Sequence, residues 1–237
     1  MKAIFFSDAH LSDREPGRVE LVAQTLRDIT KDADIVFILG DLFEFYHSHG
    51  DYIYPFFGKV VETLRTIASR RTVYFIEGNH EFGLGDHFEA HTGVRCVESL
   101  TINMDEKKVF LSHGHEVGSP VLRWILKSRF IYFIMDRLGP ELTWKIAMMS
   151  RCVLSKGHKP HDKRVMEHFR RYGERKLREG YDAVVIAHSH MADIEEYEWN
   201  GRKHTYMNTG DLIESLTYGA YVTGKGFSVN TYTRRAQ

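Results

Sequence analysis

Five stretches of this 237-residue chain bring Asp, Asn and His to the ends of apolar runs. Asp8 and His10 follow Ile4-Phe5-Phe6, and Asp41 follows Ile35-Val36-Phe37-Ile38-Leu39-Gly40. Asn79, His80 and Glu81 follow Val73-Tyr74-Phe75-Ile76-Glu77-Gly78, His113 follows Val109-Phe110-Leu111-Ser112, and His188 and His190 follow Ala183-Val184-Val185-Ile186-Ala187. Each offers oxygen or nitrogen to a divalent cation, and no thiolate competes. A carboxylate has two oxygens, so Asp41 can bridge two ions, and Gly40 before it lets the backbone turn or approach a neighbour closely. Asp8 and His10 lie two apart and point to one side while the chain is extended. The imidazoles of His188 and His190 have the same spacing and can serve different ions. Asn79 adds a neutral carbonyl oxygen. His80 beside it is placed to face a bound substrate, as oxyanion stabiliser or general acid. Glu81 either orients that imidazole or is exposed. His47 and His49 also have ligand-type spacing, but their aromatic, polar loop reads as solvent-exposed, and they stay outside the metal set.

The elements that would position these residues are legible. Short β-branched and aromatic runs, apolar throughout, read as strands buried on both faces. Helical spacing over Arg18 to Thr30 (Val19, Val22, Leu26, Ile29) and Phe56 to Ser69 (Val60, Val61, Leu64, Ile67) separates the first three. The resulting βαβαβ order predicts parallel strands with right-handed crossovers and their loop ends on one rim, where open α/β sheets hold ligands. Phe88 to Thr92 reads as a short helix. Val94 to Leu111 reads as strands with a hairpin turn at Glu106-Lys107-Lys108. Asn208 to Ser215 combines a turn with polar residues and braces the ligand loops.

Lys plus Arg total 32, as do Asp plus Glu, so overall charge gives no argument for nucleic acid. Cys96 and Cys152 lack metal-type spacing and read as reduced thiols of an intracellular protein. Strand-like sequence from Lys2 leaves no room for a signal peptide, and no apolar run reaches the ~20 residues a membrane span needs. A soluble chain is expected. Val121 to Gly180 nevertheless holds 15 Lys or Arg against 6 Asp or Glu, and 11 of the 15 residues from Val121 to Met135 are apolar or aromatic. Helices over 121–135, 142–154 and 162–179 with wide apolar faces and a basic excess suit a greasy, anionic partner such as a phospholipid surface. Arg123 and the cluster Lys156, Lys159 and Lys163 are the candidate contacts for substrate phosphate.

In chain order, Asp8-x-His10, Gly40-Asp41, Gly78-Asn79-His80, His113 and His188-x-His190 resemble the blocks of the calcineurin-like metallophosphoesterases, from Ile4 to His190. The resemblance implies a four-layer α/β/β/α sandwich, one domain over 1–237 with a helical lid inserted at about 119–180. It also implies two divalent ions. Carried over residue by residue, Asp8, His10 and His190 take one ion, Asn79, His113 and His188 take the other, Asp41 bridges, and His80 is catalytic. The donor set favours Mn2+, with Fe or Zn as alternatives. Within the family, the insertion and Asn208-Thr209-Gly210-Asp211 with Glu214-Ser215 resemble a branch that hydrolyses the diphosphate of a nucleotide-linked, acylated sugar in lipid A biosynthesis. Such a branch implies a nucleotide-lipid substrate and peripheral contact with the cytoplasmic face of the inner membrane, without nucleic acid or an obligate protein partner. His80 stands where that branch carries arginine and matches the wider family instead. A phosphodiesterase or nuclease on the same scaffold is therefore the alternative.

Overall fold

Strands covered on both faces need no polar residue, and the first half of the chain follows that rule. The computed structural model describes residues 1–117, 128–154 and 162–234, with the backbone alone over 151–154. It begins β1 (Lys2–Phe6), α1 (Pro16–Ile29), β2 (Ile35–Ile38), β3 (Tyr46–His47), α2 (Gly58–Ala68), β4 (Thr72–Ile76), β5 (Glu81–Phe82), α3 (Gly85–Thr92) and β6 (Arg95–Val97). β1, β2, β4 and β6 pair in parallel, with Ile4 opposite Val36 and Val36 opposite Val73. Successive side chains alternate between faces. Ile4, Phe6, Val36 and Ile38 therefore pack under Val22, Leu26, Val60 and Leu64 of the helices, while Ala3, Phe5 and Phe37 face the other way.

The second half is mixed, comprising β7 (Leu100–Met104), β8 (Lys107–Leu111), α4 (Arg129–Leu138), α5 (Pro140–Leu154), α6 (Lys163–Arg178), β9 (Ala183–Ile186), β10 (Ala192–Trp199), β11 (Arg202–Thr209), β12 (Thr217–Val222) and β13 (Gly226–Thr231). The last two return to the first sheet, giving the order β13-β12-β1-β2-β4-β6. The second sheet runs β10-β11-β9-β8-β7. Its Val109, Leu111, Val185 and Met207 meet Phe5, Phe37 and Ile76 across the space between the sheets. Its outer face carries Val184, Ile186 and Tyr206, which α6 covers with Phe169 and Leu177. Helices, sheet, sheet and helix make four layers, as the resemblance implies. The last helix of the basic segment is thus an outer layer of the body. It is anchored by Arg170, whose Nε and Nη2 donate to the two Asp193 oxygens at 2.6 Å each.

Two local expectations shift. Ser128, read as an interruption within a helix over 121–135, is the N-cap of α4: its Oγ accepts the Ile131 N–H at 3.4 Å, the role a short hydroxyl side chain fills best. The hairpin turns at Asp105-Glu106, with Asp105 in the left-handed region at φ 52°, so Lys107 and Lys108 already belong to β8. Among the described residues no helix is long and apolar enough to cross a membrane.

Candidate metal centre

The parallel strands end on one rim, and hydrogen bonds to backbone carbonyls stitch their loops together. The N–H groups of Ala9 and His10 donate to the Asp41 carbonyl at 2.9 and 3.0 Å, Leu212 N–H donates to the Asp8 carbonyl at 3.2 Å, and Asn208 Nδ2 donates to the Ala187 carbonyl at 2.9 Å. Asp8, His10, Asp41, His188 and His190 all sit at positive φ, between 44° and 70°. Left-handed backbone is uncommon outside glycine, and the surrounding loops must hold it in place. The chain therefore turns sharply at the ligand-type residues beyond β1, β2 and β9.

All seven predicted metal residues converge. Asp8 Oδ1 lies 3.4 Å from His190 Nε2 and 3.8 Å from His10 Nε2. Asp41 Oδ2 lies 3.8 Å from His10 Nε2 and 3.2 Å from His113 Nε2, so this carboxylate stands between the two groups. His113 Nε2 is also 3.1 Å from Asn79 Oδ1 and 3.0 Å from His188 Nδ1. The His113 Nδ1–H donates to the Leu39 carbonyl at 2.6 Å, which directs Nε2 into the cluster. One ring nitrogen with at most one proton cannot satisfy Asp41, Asn79 and His188 together; a cation can. Asp8 Oδ1 and His10 Nε2 are likewise buried without a hydrogen-bond partner. Carboxylate, amide and imidazole donors crowded around a common space, with Asp8 Oδ1 and His10 Nε2 unpaired, are the pattern that fits divalent ions.

Charge is arranged accordingly. Burial opposes protonation of His10, but Asp8, Glu44 and Asp41 outweigh it and lift the ring to about 10. Burial likewise opposes charge on His113, which Asp41 and Asp8 lift to about 9. Burial would raise the Asp41 carboxyl, but His113, His80 and His10 hold it well below the ordinary carboxylate range. His188 is pushed down to about 3 by burial and by His113, and stays neutral. Protons on His10 and His113 answer the carboxylates where no cation is bound.

His80 turns its Nδ1–H to the Glu44 carbonyl at 2.7 Å, leaving Nε2 3.7 Å from Asp41 Oδ2. Its ring meets that of His10 edge-on, with centroids 4.7 Å apart. Two carboxylates play parts the sequence did not reveal. Glu44 Oε2 lies 3.1 Å from His10 Nδ1 and fixes which nitrogen that ring offers. Glu81 is fully buried: Oε2 accepts the N–H groups of Asp41 and Gly78 at 2.9 Å each, and Oε1 that of Phe43 at 3.2 Å. It therefore neither orients His80 nor faces solvent; it ties two ligand loops together. Burial and Asp41 raise its carboxyl to about 7. His47, expected in solvent, is buried, because α4 covers it.

Of the substrate contacts expected from sequence, Arg123, Lys156 and Lys159 lie outside the described residues. Lys163, at the start of α6, lines a cleft of ≈ 340 Å³ with His190, Met191 and Ser215. The cleft reaches the cluster through His190, whose side chain is 40% exposed and whose Nε2 lies 3.4 Å from Asp8 Oδ1.

Residues 1–192 match the model of the calcineurin-like phosphoesterases. The chain belongs to that family, and its class is that of a metal-dependent phosphoric-ester hydrolase. A UDP-2,3-diacylglucosamine hydrolase of Stenotrophomonas maltophilia is 27% identical over 99% of this chain and 100% of its own length. One of Coxiella burnetii is 37% identical over 112 residues, 47% of this chain and 46% of that protein, so the chain matches about half the length of that relative. The Escherichia coli phosphoesterase YfcE is similar in structure, with a TM-score of 0.47 at 18% identity over 98% of this chain and 93% of its own.

Proposed function

We propose that this chain hydrolyses the diphosphate of UDP-2,3-diacylglucosamine to UMP and 2,3-diacylglucosamine 1-phosphate, a step of lipid A biosynthesis, with two divalent ions, Mn2+ first among them. The observation that carries the reading is the convergence of Asp8, His10, Asp41, Asn79, His113, His188 and His190 around unpaired donor atoms, in a chain similar over its whole length to hydrolases of that substrate.

Asp8, His10 and His190 would hold one ion, Asn79, His113 and His188 the other, and Asp41 would be shared. Ions so held supply Lewis acidity and a water of lowered pKa. The chain's own residues do the rest. Glu44 fixes the His10 tautomer, and Glu81 keeps the Asp41 and Gly78 loops in register. His80, with Nδ1 committed to the Glu44 carbonyl, offers Nε2 to the phosphoryl oxygens or to the leaving oxygen. Lys163, which lines the cleft beside His190, would bind substrate phosphate, and the basic sequence around Arg123, Lys156 and Lys159 supports the same role for them.

α4 and α5 leave Phe130 70%, Phe133 54% and Met149 71% exposed, beside a basic sequence. Apolar surface of that kind supports peripheral attachment to the cytoplasmic face of the inner membrane, where the lipid substrate resides. His80, in place of the arginine of the lipid-pathway branch, favours a second reading, a phosphodiesterase or nuclease.

An activity panel with Mn2+ separates the two. UDP-2,3-diacylglucosamine, simple phosphodiesters, phosphomonoesters and single-stranded DNA are compared by kcat/KM. The first should be the best substrate, with UMP as product; faster cleavage of DNA or a simple diester would replace this reading with the second.

A further inference from the structure

A separate meeting of imidazole and carboxylate joins the body to the insertion. His47 ends β3 and His49 follows it two residues on, Asp136 lies on α4, and a ligand atom from each is within 4.8 Å of the other two. His47 Nδ1 is 2.9 Å from the Phe82 carbonyl, which can only accept, so the ring proton is there. Its other nitrogen, Nε2, faces Asp136 Oδ1 at 2.8 Å. The His49 ring stands edge-on to His47, centroids 4.7 Å apart, and its Nε2 is buried with no hydrogen-bond partner. A charged His47 paired with Asp136 would answer one contact and leave His49 unanswered. A cation answers all three.

We propose that His47, His49 and Asp136 bind a zinc-class divalent ion distinct from the hydrolytic centre. Two imidazole nitrogens and one carboxylate oxygen, with solvent in the remaining place, form a donor set suited to four-coordinate zinc. The Phe82 carbonyl on His47 Nδ1 is the outer hydrogen bond that orients a ligating ring. Because two ligands come from the body and one from α4, the ion is a staple. It holds the helix that presents Phe130 and Phe133 to solvent against the loop beside His80. The Asp136 side chain is 59% exposed, so the ion can enter and leave without unfolding.

The test loads the full chain with Zn2+, desalts it, and measures zinc per chain by mass spectrometry for wild type, H49Q and D136N. Each variant should hold one equivalent fewer, with unchanged circular dichroism and unchanged turnover of a small aryl phosphate. At zinc about ten times its Kd, cleavage within the insertion of wild type by a protease should slow about tenfold, and that of the variants should not. H87A/H91A is the control, because His87 and His91 lie 3.1 and 3.7 Å from Asp51 in the same loop. Equal zinc in wild type, H49Q and D136N would overturn the proposal, and so would loss of the extra ion in H87A/H91A alone.

Discussion

Gly78 leaves Asp41 its place: a Cβ built on Gly78 would overlap Asp41 Oδ1 and crowd the Asp41 backbone nitrogen. Gly40 is equally confined, its φ at 85° and a Cβ there 2.6 Å from the Gly78 Cα. The two glycines let the β2 and β4 loops touch, so that the shared carboxylate stands between the two histidine groups. Gly78→Ala must push Asp41 aside or splay the loops, costing about 1–3 kcal/mol of stability. Displacement of a reacting group by about 1 Å costs ~10²-fold in rate, so kcat should fall by at least that much. Metal content per chain should fall with it. A Gly78→Ala protein with normal turnover and two bound ions would contradict the geometry described.

Stability of the metal-free chain should fall as pH rises, and the stability added by metal should grow. In the folded, metal-free chain His10 rises to about 10 and His113 to about 9, both from 6.5. Glu81 rises to about 7 from 4.5. A raised folded value gives stability that is fully present below the unfolded value and lost as pH climbs through the folded one. Chelator-stripped protein should therefore lose Tm steadily from about pH 6.5 to 10. His188, held at about 3, costs stability instead as pH falls from 6.5 toward that value. Cations displace the protons on His10 and His113, so the Tm gained on adding Mn2+ should grow with pH over the same window. Scanning fluorimetry reads both, and a stripped-protein Tm that is flat or rises above pH 6.5 would refute the charge arrangement.

Lys163 lines the cleft beside His190 without touching the metal cluster. Lys163→Ala should raise KM for UDP-2,3-diacylglucosamine about tenfold, the scale of one hydrogen bond to a charged group. Turnover of a small aryl phosphate should be unchanged. Parallel losses on both substrates would assign Lys163 to the fold.

Among the described side chains of α4 and α5, Phe130 and Met149 are the most exposed large apolar ones. Replacing both with Ser should weaken sedimentation with anionic phospholipid vesicles by about tenfold or more, since each buried apolar side chain contributes ~1.5–3 kcal/mol. Folding stability should move by no more than about 0.5 kcal/mol per site, because neither residue is in the core. Undiminished vesicle binding would place the membrane contact elsewhere.

Much of the centre was legible because each ligand follows an apolar run buried on both faces, and such runs declare themselves without tertiary information. Asp8, Asp41 and His188 could be read this way, each directly beyond its strand. The left-handed turns that aim them could not, since Asp and His give no local sign of positive φ. Glu44 and Glu81 escaped for a different reason: apart from the nearby Gly78 N–H, their partners, His10 Nδ1 and the Asp41 and Phe43 N–H groups, lie 34 to 40 residues away and meet them only once the loops converge. His47 was misread because its loop is polar and aromatic, and the helix that buries it begins more than 80 residues later. The outer-layer position of α6 was hidden likewise, because a basic helix carrying Phe169 and Leu177 on one face reads equally as lid or layer.

The most direct measurement is anomalous scattering at the manganese edge from crystals of the Mn2+-loaded chain. The account predicts two peaks about 3.5–4 Å apart. Asp41 should lie between them, Asp8, His10 and His190 on one, and Asn79, His113 and His188 on the other. A single peak, or none within reach of Asp41, would contradict it.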